Sequence, residues 1–249
     1  MGHIAPIRTE LQDSRIALTL PCGTGLSLPL VCRHNPRARR AQLRVDSARR
    51  LVALTLPPGF RPPQAEAFLQ RHSGWLAAQI ASLPAARPFR DGAELPFRGE
   101  AYRICHDTAL RGTVRVDGHD LHVGGAAEFL PRRIVDWLRA QARADLSLAA
   151  TGLAADVGLR PRRVAVRELH SRWGSCAANG NLSFAWRLIL APPVVLTYVA
   201  AHEVAHLRHA NHGAEFWALV RQMHPAADTA RRWLRERGPT LFAYGAMPA

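Results

Sequence analysis

Residues 200–217 read AAHEVAHLRHANHGAEFW, and the fold of this 249-residue chain turns on how its histidines are spaced. The pattern His202-Glu203-x-x-His206 sets two imidazoles four residues apart, and His212 follows six residues later. The apolar run VVLTYVAAHEVAHL, residues 194–207, comes after Pro192 and Pro193, which suit a first helical turn. A helix is therefore expected, and residues four apart on a helix stand one above the other. His202 and His206 can then offer nitrogens to one ion. Glu203, turned about 100° away, is set to act on the water such an ion activates instead of ligating it.

The third ligand must come from beyond the helix end. A turn near residues 208–211 brings His212 back, because Asn211 tolerates left-handed backbone or can cap a following helix. Glu215 is the rival ligand, and His209 is expected to be solvated or to support a ligand from behind. A helix apolar nearly all round is a buried one, and buried histidines beside a buried glutamate need a partner. Three imidazoles with one position left open suit a single Zn2+, although manganese, nickel or cobalt can use the same set. The chemistry expected is hydrolysis by metal-activated water, with Glu203 as general base.

Upstream of this helix, RVAVREL (163–169) and LSFAWRLIL (182–190) read as strands around the turn SRWGSCAANGN (171–181). Arg172 and Arg187 fall on these flanking segments, where a guanidinium can bind a carboxylate or phosphate bidentately. Trp173, Trp186, Trp217, Trp233 and Tyr198 are expected as packing residues. Helical segments are expected over 212–223 and 226–237, with a loose tail after them.

Residues 14–56 alternate as short strands in a meander, with the basic turn RHNPRARR (33–40) presenting Arg33, Arg37, Arg39 and Arg40. A helix is expected over 62–82, more short strands up to GTVRVDGHDLHVGG (112–125), and a longer helix over 128–150. No internal repeat is legible. The expected architecture is α+β: a β-rich module with helices over 1–125, then a catalytic region over 126–249 in which the histidine helix lies beside a small sheet.

The net charge is +14, carried entirely by arginine, and a field of this sign attracts acidic or phosphate-bearing partners. Cys22, Cys32, Cys105 and Cys176 form no C-x-x-C pair, so neither a thiolate metal site nor a disulfide framework is expected, and the compartment read from them is cytoplasmic. No apolar run approaches the length of a membrane span, and the opening MGHIAPIRTELQDSRIALTLPCG carries acids and a proline where a signal peptide has an unbroken apolar stretch.

Motif order adds a resemblance. RWGSC (172–176) and GNLSFAWRLILAPPVVLTYVAAHEVAHLRHANHGAEFW (180–217), with RRAQLRVD, LTLPPG, HSGWLAAQI and PFRDGAELPFRGEAY earlier, resemble the YgjP-like metal-dependent hydrolases. That family shares a zincin core with SprT-like and WLM-type metalloproteases. The resemblance implies His202, His206 and His212 as ligands, Glu203 as general base or acid, and metallopeptidase activity. Ala185 and His170 depart from the family's usual Asn and Lys or Thr. The resemblance also carries a nucleotide alternative, a UTP-like pyrophosphohydrolase using the basic N-terminal strands with Arg39 and Arg40. A further alternative is a nucleic-acid-associated protein acting at DNA–protein crosslinks, which predicts strongly salt-dependent binding.

Overall fold

Two strands joined by the basic turn, β2 (Ser27–His34) and β3 (Gln42–Asp46), are neighbours in sequence but not in space, because β4 (Leu51–Leu56) lies between them. The computed structural model describes residues 17–21, 27–47, 49–110 and 112–246. With β1 (Ala17–Pro21) the sheet order is β1-β2-β4-β3, and β2 pairs with β4 in parallel. The expected meander is thus replaced by two hairpin-like pairs, one wound beside the other. Alternation fixes the buried face: Leu28, Leu30 and Cys32 of β2 lie with Val52, Leu54 and Leu56 of β4. Helices α1 (Pro62–Arg71) and α2 (Ser73–Ala81) cover that face through Leu69, Leu76 and Ile80. The helix expected over 62–82 breaks at His72, whose φ/ψ of −105°/10° ends one segment before Ser73 begins the next.

The same winding occurs a second time. Strands β5 (Glu94–Phe97), β6 (Glu100–Asp107), β7 (Val114–Asp117) and β8 (Asp120–Gly124) are ordered β5-β6-β8-β7, again with a parallel central pair. The tight turn between β5 and β6 places Arg98 and Gly99 at φ 52° and 84°, the left-handed pair a two-residue hairpin turn needs. Arg98 then holds Asp145 through two 2.8 Å hydrogen bonds. Asp145 sits on α3 (Leu130–Asp156), which buries Leu130, Ile134, Leu138, Ala142, Leu146, Ala150 and Ala154. That is one residue in every four, and its second half is mostly alanine, which lets neighbouring backbone come close.

The chain forms two compact units, the second spanning Arg87–Gly245. The boundary expected at residue 125 falls inside this second unit. The reason is the core: Leu95, Phe97, Ile104, Leu121 and Val123 of the β5–β8 sheet are buried in one cluster with Ile134 and Leu138 of α3 and with the buried residues of the histidine helix. The same unit holds a three-stranded sheet, β9 (Arg163–Arg167), β10 (Gly174–Cys176) and β11 (Asn181–Ala185), ordered β10-β11-β9. It ends in helices α4 (Pro193–Ala205), α5 (Ala214–Met223) and α6 (Ala227–Leu241).

The fold is α+β, as expected. The tail is not loose as far as Gly245: α6 continues through Gly238 and Pro239, Phe242 stacks on Trp173 at 5.0 Å, and Tyr244 bridges to Arg87. Residues 1–16, 22–26 and 247–249, with Cys22 and the leader reading among them, lie outside the described residues. Among the described residues no helix is long and apolar enough to cross a membrane.

Candidate metal centre and cleft

Helix α4 opens on Pro193 and buries Val195, Leu196, Tyr198, Val199, Ala200, Ala201, Glu203, Val204 and Ala205, nearly its whole circumference. Its last regular residue is Ala205, and His206 is the C-cap at φ −65°, ψ −16°. Two tight turns follow, carried by Leu207 N–H to Val204 O at 3.0 Å and His209 N–H to Ala205 O at 2.9 Å. The chain then reverses, and His212 arrives just before Gly213 caps α5. The helix ends a little earlier than the expected 208–211, and the turn delivers the third imidazole as the spacing implies.

The result is a cluster in which one nitrogen from each of His202, His206 and His212 lies within 4.8 Å of the others. His202 Nε2 and His212 Nε2 stand 3.1 Å apart. His206 Nδ1 donates to the carbonyl of His209 at 3.0 Å, which fixes the ring and leaves Nε2 as its free lone pair. So His209 does support a ligand, but through its backbone; its imidazole sits 3.7 Å from Glu215. Glu215 is therefore turned toward His209 and is not one of the clustered groups.

This donor set suits a divalent transition metal. Burial, followed by the mutual repulsion of the three rings, pushes the His202 pKa down to about 4, and burial is also the leading cause lowering that of His206. Both rings are thus held neutral, the form that ligates. Two neutral nitrogens 3.1 Å apart can share only one proton between them, and the third ring has none to offer once its N–H is given to a carbonyl. A cation satisfies all three lone pairs together. Nitrogens bound to one zinc ion stand roughly 3.3 Å apart, close to the 3.1 Å between His202 Nε2 and His212 Nε2.

Phe216 forms the floor of the cluster, its ring 4.9, 4.6 and 4.7 Å from those of His202, His206 and His212, and it is fully buried. Trp217 stacks on His212 at 5.9 Å. Sequence reasoning did not single out Phe216; the signal was its place four residues after His212 on an amphipathic helix.

Glu203 is 5% exposed and lines the same cleft as the histidines. Burial raises its pKa to about 7, against a smaller downward pull from the charge of Arg172. Gly174 of β10 lies flush against it: a Cβ there would meet Glu203 Cγ and Oε1 at 2.6 Å. A strand with any side chain at 174 could not run this close to the Glu203 carboxylate.

The cleft has a volume of about 780 Å³ and is lined by Arg172 to one side, by Gly174, Ser175 and Cys176 of β10, and by Leu207 and Arg208 beyond the helix. Arg172 is thus brought to the histidines as expected. Arg187 is not: its guanidinium is buried and ion-paired with Glu168, which also accepts from Trp186 Nε1 at 2.6 Å and from Arg139 at 3.1 Å. That carboxylate takes up Arg187 before any substrate can. Arg39 and Arg40 are exposed in the β2–β3 turn of the first unit. Tyr198 and Trp186 are buried packing residues, as expected. Cys176 is half-buried at the cleft wall, burial raises its pKa, and it is not one of the clustered groups.

A comparison with curated proteins returns no match. Among solved structures, the metallopeptidase zymogen abylysin of Pyrococcus abyssi is similar at 20% identity and a TM-score of 0.29, covering 41% of this chain and 93% of its own. A family comparison matches the YgjP-like, metallopeptidase domain over residues 39–237, which takes in four-fifths of the chain, parts of both units and every residue of the histidine cluster. The chain belongs to this YgjP-like family, and that membership makes it a metal-dependent hydrolase.

Proposed function

We propose that the protein is a zinc metallopeptidase in which His202, His206 and His212 hold the metal and Glu203 is the general base. The observation that carries this reading is the convergence of three imidazole nitrogens within 4.8 Å, in one cleft with a buried carboxylate from the same helix. When bound, zinc supplies a Lewis acid that polarises a carbonyl and acidifies water. Glu203 accepts a proton from the attacking water on a carboxylate oxygen and returns it to the departing amine nitrogen. Gly174 keeps the carboxylate in register by leaving it room, and the Phe216 floor keeps the three rings converged. Among the described residues strand β10 is an edge strand, paired only with β11, so its outer edge has backbone groups with which to align an extended peptide.

The test is turnover of casein and of a fluorogenic peptide mixture by zinc-loaded protein. Hydrolysis by wild type and its loss in Glu203→Gln, with zinc retained, supports the reading. Equal hydrolysis by both proteins rules out Glu203 as base.

A further inference from the structure

We propose that Arg172 makes this cleft selective for peptides that carry a carboxylate near the scissile bond, supplied either by an acidic side chain or by the C-terminus. The proposal rests on the peptidase reading above and names its substrate class. Three charged residues other than the histidines line the cleft, one acid, Glu203, and two bases, Arg172 and Arg208. Arg208 is partly occupied, donating to the carbonyl of Val157 at 2.7 Å. Arg172 is exposed, and among the described residues no acid pairs with its guanidinium, in contrast to Arg139 and Arg187, which share Glu168.

Position strengthens the case. Arg172 is two residues before Gly174, the residue flush against Glu203, so the segment that carries the guanidinium passes directly beside the base. Arg172 and Glu203 line the same cleft without forming an ion pair. A substrate bond presented to Glu203 therefore lies within reach of this cation. The adjoining wall is made of small residues, Ser175, Ala177, Ala178, Gly180 and Ala210, which leave room for a substrate side chain and offer it no competing charge. A planar fork of N–H donors, unpaired and facing such a space, matches a carboxylate bidentately.

The experiment uses a peptide set built on one Ala/Gly-rich sequence, with Glu or Gln walked through each position and the C-terminus either free or amidated. Binding is measured by calorimetry to zinc-loaded Glu203→Gln protein, and turnover by zinc-loaded wild type. Carboxylate-bearing peptides should bind about tenfold tighter than their neutral isosteres. Adding Arg172→Gln should erase that ratio, and Arg172→Glu should turn it toward peptides with Lys in place of Glu. Loss of affinity on Glu→Gln assigns the carboxylate to a side chain, and loss on amidation assigns it to the C-terminus. Equal affinities across the set, or a ratio that survives in Arg172→Gln, overturn the proposal. If the ratio is present but wild type hydrolyses none of the peptides, carboxylate recognition stands and the peptidase reading fails.

Discussion

Gly174 and Glu203 are in contact across the wall of the cleft, with room for a hydrogen on the glycine and none for a carbon. Its backbone is ordinary, outside the set of positive-φ glycines, so the requirement for glycine is purely steric. Gly174→Ala should therefore fold and bind metal as wild type does, yet push the Glu203 carboxylate out of place. A displacement near 1 Å costs on the order of a hundredfold in kcat. Steady-state kinetics beside metal analysis checks this, and unchanged kcat would show that Glu203 tolerates the shift.

Phe216 touches all three histidine rings and also packs edge-on against Trp217 within the buried core. Phe216→Ala should destabilise the metal-free protein by about 3 kcal/mol or more through the cavity it leaves. It should also lower metal affinity by on the order of tenfold, because the rings lose their common support. Denaturant titration measures the first effect and competition with a chromophoric chelator the second. Normal metal affinity in a destabilised variant would make Phe216 a core residue only.

Glu168 holds together Arg187, Trp186 and Arg139. Burial alone would raise its pKa, but the hydrogen bonds from Trp186 and the charge and hydrogen bonds of Arg187 and Arg139 outweigh it and hold the carboxylate below its usual value of 4.5. A depressed carboxylate contributes stability that is present above the unfolded value and is lost as pH falls through the folded one. The melting temperature of wild type should thus fall below about pH 4.5, and Glu168→Gln should weaken that dependence. At neutral pH the same substitution leaves Arg187 buried without its counter-ion, at a cost of about 3 kcal/mol.

Metal binding to the folded state alone must raise stability. At a free zinc concentration a hundredfold above Kd the gain is about 2.7 kcal/mol, or roughly 5 °C or more for a unit of this size. Calorimetry with zinc and then with chelator should show that shift in wild type and none in His202→Ala.

How much of this was legible in the sequence follows from the range over which each signal acts. The histidine helix was readable because four-residue spacing, a proline entrance and an apolar run all act locally and agree. The turn that returns His212 was readable for the same reason. Arg187 was misplaced because its partner, Glu168, lies on another segment nineteen residues away, and pairing across segments leaves no mark in either. Gly174 was passed over because its role depends on Glu203, which only the folded sheet brings beside it. The winding of β1–β4 and β5–β8 escaped notice because strand order is set by which edge is free, not by any residue pattern.

The most direct test of the central claim is the metal content of purified wild type beside Glu203→Gln and His212→Ala, each then assayed on peptide. The account predicts one zinc per chain in wild type and in Glu203→Gln, loss of tightly bound zinc in His212→Ala, and turnover by wild type alone, with Glu203→Gln reduced by on the order of a hundredfold or more. Full zinc occupancy in His212→Ala, or full activity in Glu203→Gln, would contradict it.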